Sequence, residues 1–114
     1  MQQDDQPILI YTTFAAPEDA KTVGRALVEA RLAACVNIFP GMTAIYEWEG
    51  APEEAGECVM LIKSRRGLQA EVLQETHRLH PYDTPALLVI PVDGGSGDYL
   101  DWIAAQTRPL PETA

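Results

Sequence analysis

The side chains most able to do chemistry in this 114-residue chain are few and spread along it. Cys35 stands in the apolar segment Ala33-Ala34-Cys35-Val36, and Cys58 in Glu57-Cys58-Val59-Met60. A thiolate at Cys35 would suit a soft ion such as Cu(I), provided other ligands joined it. The plainer alternative is a small, buried, apolar strand residue. His80 lies in His80-Pro81-Tyr82-Asp83-Thr84-Pro85 and offers an imidazole to a metal or an anion. At a helix C-terminus its protonated form is favoured, or it caps the helix and fixes the next loop. His77 shares a helical face with it, yet two imidazoles fall short of the three or four ligands a metal takes. Asp83 supplies hard oxygen ligands, or an Asx turn before Pro85.

Glu57 and Lys63 mark the two ends of one strand face, with Val59 and Leu61 between them. They form a pair of opposite charges for a ligand, or two solvated strand ends. Tyr46 and Trp48 share a face with Met42 and Ala44, which suits interface packing better than ligand stacking. The run Asp93-Gly94-Gly95-Ser96-Gly97-Asp98 joins a strand to a helix, but it lacks the P-loop lysine and its two carboxylates repel phosphate. A flexible turn with Asp98 as N-cap is expected there.

These residues must be positioned by short, alternating elements. The β-branched run 8–14 predicts a strand; Pro17-Glu18-Asp19 then opens a helix that carries Ala20, Val23, Leu27 and Ala30 on one face, with Arg31 in its last turn. Gly24 inside that helix points to close packing. A second strand runs 35–39, breaks at Pro40-Gly41 and resumes over 42–49, which implies a bulge or an edge. A turn at Gly50-Ala51-Pro52 leads to a third strand at 57–63. That pairing sets Cys58 opposite about residue 45, far from Cys35, and excludes an internal disulfide. A helix over 68–79 ends at Pro81, a wholly apolar strand spans 87–92, and a helix spans 98–106.

The order βαββαβ plus a C-terminal helix predicts an α+β, ferredoxin-like split βαβ sandwich, with an antiparallel sheet and helices on one face. One domain is expected at 8–106, between a flexible N-terminus at 1–7 and an extended tail at 107–114. Ile8 and Ile10 alternate with Leu9 and Tyr11, Cys58, Met60 and Ile62 with Val59 and Leu61, and Leu87 and Val89 with Leu88 and Ile90. Both faces of three strands are therefore apolar, and two helices hide only one of them. Association through the sheet, most simply in a closed homo-oligomer, follows.

Composition narrows the partners. Lys and Arg number 8 against 17 Asp and Glu, a net charge of −9, which disfavours nucleic acid. No apolar run reaches the roughly 18 residues of a membrane span, and Met1–Pro7 has no signal-peptide pattern. Two cysteines without C-x-x-C spacing suggest reduced thiols and a cytoplasmic protein. No nucleophile–base pair or metallohydrolase signature is present, so an enzyme is not expected and no organic cofactor is evident.

Five segments in order resemble the CutA family of divalent-cation tolerance proteins: Leu32-Ala33-Ala34-Cys35-Val36-Asn37, Tyr46-Glu47-Trp48-Glu49-Gly50, Met60-Leu61-Ile62-Lys63, His80-Pro81-Tyr82-Asp83-Thr84-Pro85 and Asp98-Tyr99-Leu100-Asp101-Trp102. The resemblance covers roughly residues 8–106. It implies a homotrimer, kinship with P-II signalling proteins, and a link to Cu2+ or another divalent cation. On that basis Cys35, His80 and Asp83 are metal candidates, and Glu57, Lys63 and Tyr82 are candidates for a cleft between subunits. Tyr46, Trp48 and Trp102 are candidates for the trimer interface. Some relatives carry Cys at the position of Thr12, His at Leu79 and an acid at Ala86, so a thiol-rich copper site is not expected here. Two other functions stay open: a P-II-like sensor of a small metabolite, and a trimeric scaffold that binds metal adventitiously.

Overall fold

The computed structural model describes residues 3–109. Strands β1 (Pro7–Phe14), β2 (Cys35–Trp48), β3 (Ala51–Arg65) and β4 (Leu88–Pro91) form one antiparallel sheet in the order β2-β3-β1-β4. Helix α1 (Pro17–Glu29) connects β1 to β2, which run parallel with β3 slotted between them. Helix α2 (Gln69–Leu79) connects β3 to β4, and α3 (Gly97–Gln106) follows. This is the split βαβ topology read from the sequence.

The local causes are those the residue pattern suggested. Pro17 sits at the start of α1 with Glu18 and Asp19 in its first turn, where carboxylates meet the positive end of the dipole. The apolar stripe Ala20, Val23 and Leu27 is buried. Gly24 permits the close approach expected of it: a Cβ there would lie 2.7 Å from Val36 Cγ2 and 3.2 Å from Met60 Sδ. The core is Ile8, Ile10 and Phe14 of β1 and Cys58, Met60 and Ile62 of β3, packed under α1 and Val72 of α2. Each such side chain contributes about 1.5–3 kcal/mol on burial.

Several expectations require correction. Only α1 and α2 share a face; α3 lies on the other, where Tyr99 meets Lys63, because the crossovers place only the two connecting helices together. The hairpin turns at Glu49 and Gly50, whose φ values are 51° and 84°, so β3 begins at Ala51 and reaches Arg65. Cys58 therefore lies opposite the interruption at Pro40–Gly41, not residue 45, while Cys35 pairs with Lys63; both thiols are free. Ser96, not Asp98, is the N-cap of α3. Helix α1 ends at Glu29, and Arg31 leaves it with φ 60°.

The described parts of the two flanks make contacts of their own. Gln3–Asp5 form a 3-10 turn, and Pro7 already belongs to β1. The buried Arg65 guanidinium donates to Asp4 at 2.9 Å, to Thr107 Oγ1 at 3.1 Å and to the Thr107 carbonyl at 3.3 Å. Arg108 donates to Asp5, and Arg31 to the carbonyls of Ala105 and Arg108. A buried guanidinium needs these partners, and they draw both flanks inward. The rest of the expected tail, 110–114, lies outside the described residues.

Candidate functional site

The β2–β3 hairpin gives the molecule its 57 × 30 × 22 Å extents. Its register steps from Phe39↔Val59 to Met42↔Glu57, three residues on β2 against two on β3. That bulge at Pro40–Gly41 reverses the alternation of β2. Before it Cys35, Asn37 and Phe39 share a face with the odd-numbered residues of β3; after it Met42, Ala44, Tyr46 and Trp48 do. The aromatic pair is thereby delivered to the same face as Glu53 and Glu57.

There they meet the loop after α2. Tyr46, Trp48, Glu53 and Glu57 from the hairpin and Tyr82, Asp83 and Thr84 from the loop line a cavity of about 600 Å³. Burial, and then the neighbouring Glu57 carboxylate, push the Tyr82 phenol above its ordinary value, so it remains a neutral hydroxyl at physiological pH. No lysine, arginine or histidine lines this cavity. It is a pocket with acidic groups and aromatic walls.

His80 fixes the loop that carries Tyr82 and Asp83. Its Nε2 lies 2.8 Å from the Thr13 carbonyl, and Nδ1 accepts the Tyr82 backbone N–H at 3.1 Å. A carbonyl only accepts and an amide N–H only donates, so the ring is the neutral Nε2–H tautomer. The ring stacks on Phe14 with centroids 4.2 Å apart, and burial lowers its pKa. This corrects two expectations: desolvation outweighs the helix dipole in setting its charge, and neither nitrogen is free for a metal. The loop-fixing alternative is what the structure contains. His77 is exposed and contacts the Asp83 carbonyl at 3.0 Å.

Cys35 and Lys63 form a separate group. They are cross-strand partners at the far end of the same sheet face, beside Tyr99 of α3. Lys63 Nζ donates to the Tyr99 hydroxyl at 2.9 Å, and Cys35 Sγ lies 3.9 Å from that hydroxyl. The expected cleft trio of Glu57, Lys63 and Tyr82 is thus divided: Glu57 and Tyr82 share the large cavity, and Lys63, six residues along β3, is about 20 Å away. The expected metal set of Cys35, His80 and Asp83 is likewise dispersed. Among the described residues no group of three or more His, Cys, Asp or Glu side chains is placed to hold a metal ion. The chain therefore presents carboxylates in this cavity but no complete coordination shell among the described residues. Trp102 stacks on Tyr99 at 5.5 Å and, like Tyr46 and Trp48, is exposed.

Two residues of these groups were missed in the sequence. Glu53 pairs with Tyr46, which a turn placed at 49–50 would have revealed. Tyr99 is three residues before Trp102, on the same helical face.

A four-stranded split βαβ sheet with a protruding hairpin, whose distal half walls an acidic, aromatic pocket, defines a small α+β protein. Comparison with known proteins narrows this. A family model described as CutA1 divalent ion tolerance protein matches residues 8–106, and the chain belongs to that family. It is 48% identical over 108 residues to the divalent-cation tolerance protein CutA of Pectobacterium atrosepticum, covering 91% of this chain and 98% of that protein. The crystal structure of divalent ion tolerance protein CutA1 from Ehrlichia chaffeensis superposes with a TM-score of 0.89 at 32% identity, covering 91% and 97% of the two chains. The structure of the periplasmic divalent cation tolerance protein CutA from Archaeoglobus fulgidus gives 0.85 at 39%, covering 90% and 99%.

Proposed function

We propose that this chain is a homotrimeric divalent-cation tolerance protein that binds copper or another divalent cation and takes part in the response to metal ions. The observation that carries the reading is the cavity along the distal half of the hairpin, which Glu53, Glu57 and Asp83 line with no basic side chain in its wall. Carboxylates bind divalent ions as hard oxygen ligands, and Cu2+ leads the first-row series at such sites. A second copy completes the coordination shell. Assembly is supported by the unpaired outer edge of β2 and by exposed Phe39, Leu88 and Ile90 on the open face. Three copies carry about −27, a field that concentrates cations. The protein acts by binding and not by catalysis, and its two free thiols suit the cytoplasm.

Calorimetric titration of the native oligomer with Cu2+ tests this. Glu57→Gln with Asp83→Asn weakens uptake at least about tenfold, as loss of charged ligands requires, whereas Cys35→Ser leaves it unchanged. Uptake by the parent no greater than by the carboxylate variant overturns the site, and uptake that vanishes at moderate salt favours the scaffold reading. Light scattering that gives a monomer at micromolar concentration overturns the trimer.

A second reading is favoured by the aromatic walls, which a metal ion does not need. Tyr46, Trp48 and Tyr82 suit a P-II-like sensor that holds a small organic metabolite in the cleft. A metabolite panel without any thermal shift counts against it.

A further inference from the structure

A second cavity lies on the opposite side of the sheet from α1 and α2, beneath α3. It measures about 300 Å³, half the volume of the one along the distal half of the hairpin, and its charged wall group is of opposite sign. Its walls are apolar: Leu9 from β1, Val92 after β4, and Leu100 and Ile103 from α3. Among the described residues no carboxylate lines it, in a chain that carries 17 Asp and Glu. The one charged group in its wall is the ammonium of Lys63.

Among the described residues that ammonium has no acidic partner, the ion pairs being made by Lys21, Arg65, Arg78 and Arg108. Its side-chain bond is to the Tyr99 hydroxyl, also in the cavity wall, and that bond holds it above its ordinary pKa, so it is charged at physiological pH. The Tyr99 oxygen accepts from Lys63, so the phenolic proton can be donated either to Cys35 Sγ, 3.9 Å away, or outward to a ligand. On the facing side Gly94, Gly95 and Ser96 bring a loop without bulky side chains to the cavity, ahead of the first turn of α3. A half-buried ammonium that Tyr99 already keeps charged has donors left over for one anion at the cavity wall.

We propose that this cavity binds a small monocarboxylate with a short apolar tail, its carboxylate on Lys63 and Tyr99 and its tail among Leu9, Val92, Leu100 and Ile103. Phosphate and polyanions are excluded, because the space is apolar and the flanking Asp93 and Asp98 repel multiple charge. The site is separate from the acidic cavity and does not depend on the cation reading. The stacking of Trp102 on Tyr99 supplies an optical reporter.

The experiment titrates the native oligomer with sodium hexanoate, followed by calorimetry and by Trp102 fluorescence in a Trp48→Phe background. Saturable binding is expected, at least about tenfold tighter than that of 1-hexanol, as a charge-assisted hydrogen bond requires. Lys63→Met removes that preference and Lys63→Arg retains it. Sodium acetate binds more weakly than hexanoate because it lacks the tail. Equal affinity for hexanoate and 1-hexanol in the parent protein, or no saturable hexanoate binding, overturns the proposal. The alcohol comparison needs no variant, so it stands even where Lys63→Met fails to fold.

Discussion

The two faces of the sheet are built from the same strands and differ in what covers them. Ile8, Ile10, Phe14, Cys58, Met60 and Ile62 point under α1 and α2 and are almost wholly buried. Their neighbours point the other way, where α3 covers only one end; Leu88 is 59% and Ile90 41% exposed. Strict period-two alternation decides which residues share a face, but both sets are apolar, so the pattern alone does not say which set is covered. The crossover rule does, by sending α1 and α2 to the same side. The covered face holds the core of the chain, and the open face keeps large apolar side chains exposed.

That contrast is easiest to break at its extremes. Phe14→Ala, on the covered face, removes a fully buried ring that also carries His80. It should cost about 3–5 kcal/mol, read from denaturant midpoints. The pair Leu88→Asp and Ile90→Asp, on the open face, should leave the circular dichroism of the subunit intact while light scattering reports monomers. An unchanged particle mass would detach the open face from assembly.

A smaller effect is expected from pH. Burial holds His80 below its ordinary value of about 6.5, so the unfolded chain takes up the proton first. The stability contributed by neutral His80 is complete above that value and is lost as pH falls from there through the lower native one. His80→Gln should flatten the pH dependence of Tm across that interval; an unaltered slope would show that other groups set it.

The smallest perturbation separates the two cysteines. Cys58 is buried and its thiol pushed up by desolvation, then by Glu57, whereas Cys35 is half-buried on the open face. An aromatic disulfide reagent should label one thiol per native chain, and the second only in denaturant. Simultaneous labelling would mean that the covered face opens readily.

Much of this was legible in the sequence. The strand and helix order, the interruption at Pro40–Gly41 and the close packing at Gly24 follow from local rules, and five short segments mark the family. The site was less legible, for reasons that can be named. Lys63 and Glu57 do share a face, as their spacing says, but six strand residues also set them about 20 Å apart, and they line different cavities. His80 was found, yet its role depends on Thr13, 67 positions away. The clasp of Arg65 with Asp4 and Thr107 joins segments that no local pattern links.

The bulge at Pro40–Gly41 has a consequence for how this hairpin can change length. Because one extra residue on β2 sets which side the distal half shows, loss or gain of a single residue there would exchange Tyr46 and Trp48 for Ile45 and Glu47 along the whole arm. A two-residue change would leave their side unaltered. Insertions and deletions in this strand should therefore be tolerated in even numbers and rejected in odd ones, a counting rule imposed by geometry and indifferent to which amino acids are added.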